Sequence, residues 1–276
     1  MKELDKKIEQ SVKLLQCTCK GKTVELCYSG GKDSDVILEL AKMAGIAYVP
    51  IYRNTTIDPP GTIKHCLSKG VKIARPRKSF YEVVAQKGMP TRRARFCCQV
   101  MKEYKIMDTA IQGIRRAEST KRAKLYKEPV LCRLYDNSKK NKCDVILPIL
   151  EWSNKDVLEF VKLRHIRLHP FYYEFNGLIN IEKRLGCMGC PLKADKGLAE
   201  FKQYPKIVKA WLRAANIWWN EHPNTKSHDL FADVYEIFIG NVFFDSYEDM
   251  RVALHCSAFG DLSAKALLEN YFHIKL

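Results

Sequence analysis

Residues 25–40 read ELCYSGGKDSDVILEL, an apolar run that stops at two glycines and a lysine and resumes as an amphipathic one. A strand that turns through glycines straight into a helix leaves the first backbone N–H groups of that helix unpaired, and the helix dipole favours an anion there. One such turn constrains the whole architecture, because it is the repeating step of a parallel α/β sheet. The stretch is not a Walker A loop. That motif needs a glycine five positions before the one preceding its lysine and a hydroxyl residue after the lysine, and this chain has Leu26 and Asp33 in those places. No third glycine completes a dinucleotide G-x-G-x-x-G either. With a lysine and two serines at an open helix start, residues 29–34 still read as a phosphate-binding turn rather than a plain connection.

The rest of the first two thirds follows the same alternation. Segments 24–28, 47–52 and 71–75 are short, β-branched or aromatic, and bounded by Gly or Pro, which predicts buried strands. Helical periodicity covers 35–43 and ends at Gly45. Residues 58–67 open with Asp58 and then Pro59, a cap followed by a first-turn proline. The tetrapeptide SFYE at 79–82 matches a capping box. A less regular basic stretch, MPTRRARFCC, precedes strand candidates at 106–114 and 144–150, and SNKD after Trp152 caps a helix through Val161. From Asp195 onward the pattern is nearly all helical. The expected fold class is therefore α/β, a mostly parallel doubly wound sheet with a helical C-terminal part. Its expected organisation is an N-terminal helix over 1–22, a nucleotide-binding domain over 23–194 and a helical region over 195–276.

Apolar stretches such as VILPIL are far too short to cross a bilayer, and the opening MKELDKKIEQ carries no signal-peptide core. A cytoplasmic location without membrane association is expected. Lysine and arginine outnumber acids 47 to 31, a formal +16. An excess of that size points to a polyanionic partner, nucleic acid being the commonest, against the alternative of a solvated basic face. Composition sets no oligomeric state.

Eleven cysteines in a reducing compartment do not suit a disulfide framework, and the odd count agrees. Cys97 and Cys98 stand in tandem, and Cys187 and Cys190 form a C-x-x-C. Together they supply four thiolates, enough for a tetrahedral zinc site or an iron–sulfur cubane, with buried structural thiols as the plain alternative. Cys17, Cys19 and Cys27 read as surface or core thiols. Trp211, Trp218 and Trp219 suit base stacking, but aromatic residues on a helix read first as core. His165 and His169 have metal-pair spacing without the glutamate of an H-E-x-x-H, and Pro170 at once marks a helix end instead.

The turn SGGKDS, comprising Ser29, Gly30, Gly31, Lys32, Asp33 and Ser34, resembles the pyrophosphate-binding loop of the adenine-nucleotide alpha-hydrolase-like superfamily. NTTIDPP after the second strand is similar to the second nucleotide-binding segment of phosphoadenosine phosphosulfate (PAPS) reductase-like proteins. GIRRAES fits their Gly-x-Arg-x-x-Glu-Ser motif, and LPILEWSNKDVLEFV with HPFYYEFN is similar to a later segment. Four motifs in order over residues 20–195 carry the likeness. The resemblance implies an adenine nucleotide held by residues 29–34, by Thr55, Thr56 and Asp58, and by Arg115, Arg116 and Glu118. It implies Lys32, Asp33 and Arg115 as catalytic groups, with Mg²⁺ on the phosphates. The cysteine arrangement resembles that of the iron–sulfur members, which implies Cys97, Cys98, Cys187 and Cys190 as ligands of a [4Fe–4S] cluster. Such members include assimilatory adenylylsulfate reductases and the ATP-pyrophosphatase component of DNA phosphorothioation systems.

Two reactions follow from the likeness. Sulfonucleotide reductases, acting on PAPS or adenylylsulfate and releasing sulfite, use a late cysteine in a Glu-Cys-Gly-Leu-His motif. That motif is absent here, and Cys256 in ALHCSAFG has other neighbours. The other reaction needs only the loop. An acceptor oxygen attacks the α-phosphorus of ATP, pyrophosphate leaves onto the turn, and sulfur from a donor such as a cysteine desulfurase displaces AMP. This second reading, sulfur insertion into nucleic acid, is the expected function. A nucleotide-binding regulator without turnover is the third.

Overall fold

The computed structural model describes residues 2–135, 142–255 and 262–276. The chain forms two compact units, each drawn from separate stretches of sequence. The first comprises Met1–Asn54, Asp58–Arg75 and Glu103–Gly186, and the second Thr55–Ile57, Pro76–Lys102 and Cys187–Leu276.

In the first unit the strands are β1 (Val24–Tyr28), β2 (Tyr48–Arg53), β3 (Lys72–Ala74), β4 (Thr109–Ile111), β5 (Val130–Leu134) and β6 (Lys142–Ile146). They lie in the order β3-β2-β1-β4-β6-β5, all parallel except β5, which runs antiparallel to β6. Val24, Leu26 and Tyr28 send one face of β1 into the main core, where helices α1 (Lys2–Thr18), α2 (Lys32–Ala44) and α7 (Asn154–Leu163) supply the other side. Cys27 joins a smaller cluster with Ala110, Tyr135 and Val145. The chain winds outward from β1 through β2 to β3 and returns to β4 on the far side of β1. The carboxyl end of β1 is thus the switch point where an open α/β sheet leaves a crevice.

The three strands expected early form where expected, within about two residues at each end, as helix-end and strand-end assignment allows. Ser153 and Asp156 make the capping box of α7, and Asp156 also takes the Lys7 ammonium of α1 at 2.8 Å. Helix α3 (Thr62–Ser68) starts three residues later than its cap signal suggested, with Gly61 rather than Asp58 at the N-cap. Asp58 and Pro59 each precede a proline and are barred from helical backbone. The turn is made by Gly61 at φ 89°, while the Asp58 carboxylate accepts from the Tyr52 hydroxyl. Strand β5 was not anticipated. Its exposed Val130 and Leu134 alternate with half-buried residues, the pattern of an edge strand.

The second unit is helical, with α4 (Phe80–Lys87), α5 (Phe96–Met101), α8 (Leu198–Gln203), α9 (Pro205–Glu221), α10 (Lys226–Leu230), α11 (Val234–Phe243), α12 (Tyr247–His255) and α13 (Ala264–Phe272). Ser79 and Glu82 form the capping box on α4. Phe80, Phe201, Trp211 and Phe238 meet in tilted and edge-to-face contacts within its core, and Trp218 and Trp219 pack at its margin. The stretch DLFADVYEIFIG is two helices rather than one. Asp233 accepts from the Tyr235 and Glu236 amides and starts α11 afresh. Among the described residues no helix is long and apolar enough to cross a membrane.

Candidate functional site

The turn after β1 lies in the first unit. Ser29 leaves the strand, Gly30 sits at φ 76°, and Gly31 is the extended N-cap of α2. A side chain at Gly30 would be strained by that φ and would also crowd the Thr62 methyl at 3.1 Å. The Ser34 hydroxyl donates to the Gly31 carbonyl at 2.7 Å and closes the first turn.

Lys32 is only 3% exposed. Its amide donates to the Tyr172 hydroxyl at 3.2 Å, and its ammonium reaches the Lys183 carbonyl at 3.3 Å and Asp33 Oδ2 at 3.4 Å, 5.6 Å from the centre of the Tyr172 ring. Burial pushes the Lys32 pKa down, and the Asp33 charge works against it. The remaining Asp33 oxygen accepts from Arg115 Nε at 2.7 Å.

Arg115 is 1% exposed. Beyond Asp33, its guanidinium donates to the Trp152 carbonyl at 3.3 Å and to Asn154 Oδ1 at 2.8 Å. Arg116 is committed to the Tyr126 and Lys127 carbonyls and to Glu151. Glu118 accepts the Arg115 amide at 3.2 Å and pairs with Arg122 and Arg184. Burial, followed by the Arg184 charge, lowers the pKa of Arg122. Gly113 explains why the arginine motif begins with glycine. A Cβ there would stand 2.9 Å from the Asp33 carbonyl oxygen, so the segment after β4 presses directly on the start of α2.

Asp58 belongs to this unit, whereas Thr55 and Thr56 belong to the second. Thr55 is buried, and Thr56, at φ 62°, accepts the Phe80 amide at 2.8 Å as α4 begins.

A buried network behind the turn was not anticipated. The Asp35 carboxylate accepts from the Tyr28 hydroxyl and lies 3.0 Å from His65 Nε2, with Lys69 at 3.8 Å. His169 stands edge-on to His65, ring centres 5.6 Å apart, and burial pulls its pKa below the ordinary value. Its Nδ1 accepts the Phe171 amide at 3.1 Å. The sequence signals were Asp35, a carboxylate on the inward side of an apolar helix, and His169, which opens the HPFYYEFN segment. Tyr172, which gathers the Lys32 and Leu185 amides on one oxygen, lies in the HPFYYEFN segment, but nothing in that segment singled it out.

The four paired cysteines all fall in the second unit. Cys97 and Cys98 lie on α5, and Cys187 and Cys190 flank Gly189, whose φ is 68°. The Cys97 pKa is pushed up by its hydrogen bond with Cys98 and by burial, and after those by the charges of Cys98, Cys187 and Cys190. The Cys98 pKa is pulled down, chiefly by the Cys97 hydrogen bond and then by Arg95. Cys187 donates to the Thr55 hydroxyl at 3.5 Å. Arg92 ties the two segments together, donating to the Pro191, Lys193 and Ala194 carbonyls at 3.0, 2.9 and 3.4 Å. Gly197 packs so tightly on Gly189 that a Cβ would come within 2.3 Å. The donor chemistry suits a thiolate-bound metal. Even so, among the described residues no three or more His, Cys, Asp or Glu side chains stand in a metal-holding group. The same holds at the turn, where Asp33 is already divided between two cations. Cys256 lies outside the described residues.

A family model described as the phosphoadenosine phosphosulfate reductase domain matches residues 23–193. Two uncharacterized proteins of Methanocaldococcus jannaschii are each 28% identical to this chain. One aligns over 77% of this chain and 53% of its own length, the other over 73% and 43%. An uncharacterized 37.8 kDa protein of Escherichia phage 186 is 29% identical over 51% of this chain and 44% of its own length. The chain thus spans about half the length of the curated relatives it matches. Among solved structures, the phosphoadenylyl-sulfate reductase of Candida auris, in a phosphate complex, superposes with a TM-score of 0.44 at 14% identity. That superposition covers 68% of this chain and 95% of the other.

Proposed function

Since the chain belongs to the phosphoadenosine phosphosulfate reductase domain family, we propose that it binds an adenine nucleotide on the turn of residues 29–34 and splits ATP there. In this reading an acceptor oxygen attacks the α-phosphorus of ATP and becomes adenylated as pyrophosphate leaves, and a sulfur nucleophile then displaces AMP from the acceptor. The observation that carries it is Lys32, a buried ammonium at the start of a helix whose dipole already favours an anion. A preorganised cation in a dry site stabilises charge on a departing pyrophosphate far better than one in water. Gly30 and Gly31 let the backbone approach the phosphates. Ser29 and Ser34 offer hydroxyls 3.4 Å apart at the same turn.

The net charge of +16 supports a nucleic-acid acceptor, held in register by phosphate contacts. Cys97, Cys98, Cys187 and Cys190 would hold a [4Fe–4S] cluster, which when bound cross-links two distant segments and offers one-electron chemistry. No step of the adenylation is routed through it. Mg²⁺ would accompany the nucleotide's phosphates, and no protein step depends on it.

The deciding experiment offers ATP, PAPS and adenylylsulfate to anaerobically purified protein and follows pyrophosphate, AMP and sulfite. Pyrophosphate from ATP, with no sulfite from either sulfonucleotide, is expected. Sulfite release would make the chain a sulfonucleotide reductase instead, and no turnover of any of the three would leave a binding protein.

A further inference from the structure

We propose that Arg115 is a positioning residue, acting on the phosphate turn through Asp33 and never touching the nucleotide itself. The inference rests on the reading of residues 29–34 as the anion site. Its ground is the geometry of one chain of contacts. Every nitrogen of the Arg115 guanidinium has a partner inside the protein: Asp33 Oδ1 on Nε, the Trp152 carbonyl on Nη1 and Asn154 Oδ1 on Nη2. At 1% exposure, a guanidinium that swung toward a ligand would abandon all three and leave the half-buried Asp33 carboxylate to Lys32 alone. Asp33 passes the constraint on, giving Oδ1 to Arg115 and Oδ2 to Lys32 Nζ at 3.4 Å. Gly113 keeps the register, because only a residue without Cβ allows the Arg115 segment so close to the Asp33 backbone. Arg115 therefore orients a carboxylate, and the carboxylate orients the ammonium that meets the anion.

The arrangement also governs the charge of Lys32. The groups that face it are Asp33, Arg115, Arg184, the Tyr172 ring and hydroxyl, and the Lys183 carbonyl. Burial lowers the Lys32 pKa, Asp33 raises it, and Arg115 and Arg184 lower it. Anion binding that depends on charged Lys32 is present at lower pH and lost as pH rises through that lowered pKa. Asp33→Asn removes the opposing carboxylate, so the loss moves to lower pH. Arg115→Gln removes a neighbouring cation and leaves Asp33 to Lys32 alone, so the loss moves to higher pH.

The test is calorimetric titration of inorganic pyrophosphate, with chelator present, into wild type, Asp33→Asn, Arg115→Gln and the double variant between pH 6 and 10. The ligand's own titration is common to all four. Action through Asp33 predicts that the double variant binds within about threefold of Asp33→Asn, with the two single variants moving the alkaline limb in opposite directions. A direct contact predicts a further loss of about tenfold or more in the double variant and no opposed shift; that result overturns the inference and leaves the anion site standing. Wild type that binds no pyrophosphate overturns both. Melting temperatures accompany each titration. Should Arg115→Gln fail to fold, the Asp33→Asn limb decides, since an unmoved limb refutes the relay.

Discussion

The turn of residues 29–34 and the paired cysteines, one in each unit, are finished to different degrees. Around the turn every charge already has a partner: Lys32 with Asp33, Asp33 with Arg115, Glu118 with Arg122 and Arg184. Around the cysteines the backbone is held by Arg92 on three carbonyls and by Gly197 packed on Gly189, while the thiols carry sulfur hydrogen bonds, Cys97 with Cys98 and Cys187 with the Thr55 hydroxyl. A site for a transient anion is best preorganised, since fixed dipoles need no rearrangement as charge develops. A site for thiolates draws its closing energy from the metal, because crowded thiolates repel until a cation joins them. The opposed shifts of Cys97 and Cys98 come chiefly from the hydrogen bond between them, Cys97 holding its proton more tightly and Cys98 less.

The sharpest way to break this contrast is Lys32→Ala. If the turn is preorganised for pyrophosphate, release of pyrophosphate from ATP should fall by about 10²- to 10³-fold while adenosine binding survives. Unchanged turnover in a coupled phosphate assay would reduce the turn to a connection. Next in size is the thiol site. Cys98→Ser and Cys187→Ser should each abolish the broad visible absorption of anaerobically prepared protein and strip its iron, with little effect on adenosine binding. Metal analysis that finds one zinc and no iron in the unmutated protein would replace the cluster with a structural zinc.

A smaller effect tests how tightly the turn is built. Gly113→Ala forces a methyl against the Asp33 backbone at 2.9 Å and should destabilise the first unit by about 1–3 kcal/mol. Denaturant unfolding reads it, and no change would mean that the segment yields freely. The smallest effect concerns the buried network behind the turn. The His169 pKa is depressed in the folded state, so its contribution is fully present above the ordinary histidine value and is lost as pH falls below it. Protonation also takes away the Nδ1 acceptor of the Phe171 amide. The melting temperature should therefore fall from pH 7 to pH 5, and His169→Gln should flatten that slope. An identical slope in the variant would assign the acid sensitivity to other groups.

Local signals were read well wherever a short motif decides the backbone. The turn after β1 and the capping boxes at Ser79 and Ser153 formed as their residues required, because each is satisfied within four or five positions. Reading failed where neighbours in sequence compete, as at Asp58-Pro59-Pro60, whose prolines delay the helix to Gly61. It failed too at β5, whose half-buried alternation depends on being an edge. The candidate site divides along the same line. The residues of the turn and of the Gly-x-Arg-x-x-Glu-Ser motif were visible as types at a spacing, but their partners were not.

The sequence by itself determined that a strand–glycine–helix step would carry a lysine at the start of its helix, and that four thiols lay in two pairs. Both follow from residue type and short spacing, which need no fold to be read. Tertiary structure alone decided that Arg115 would be buried against Trp152 and Asn154, some forty positions away, and that Tyr172 would collect the Lys32 amide from 140 positions away. It also decided that Thr55 and Thr56 would join the cysteine-bearing unit while Asp58 stayed with the sheet. The physical reason is burial. A charged or hydroxyl group taken out of water must find a partner in whatever segment packs against it, and packing brings together stretches that no spacing rule connects.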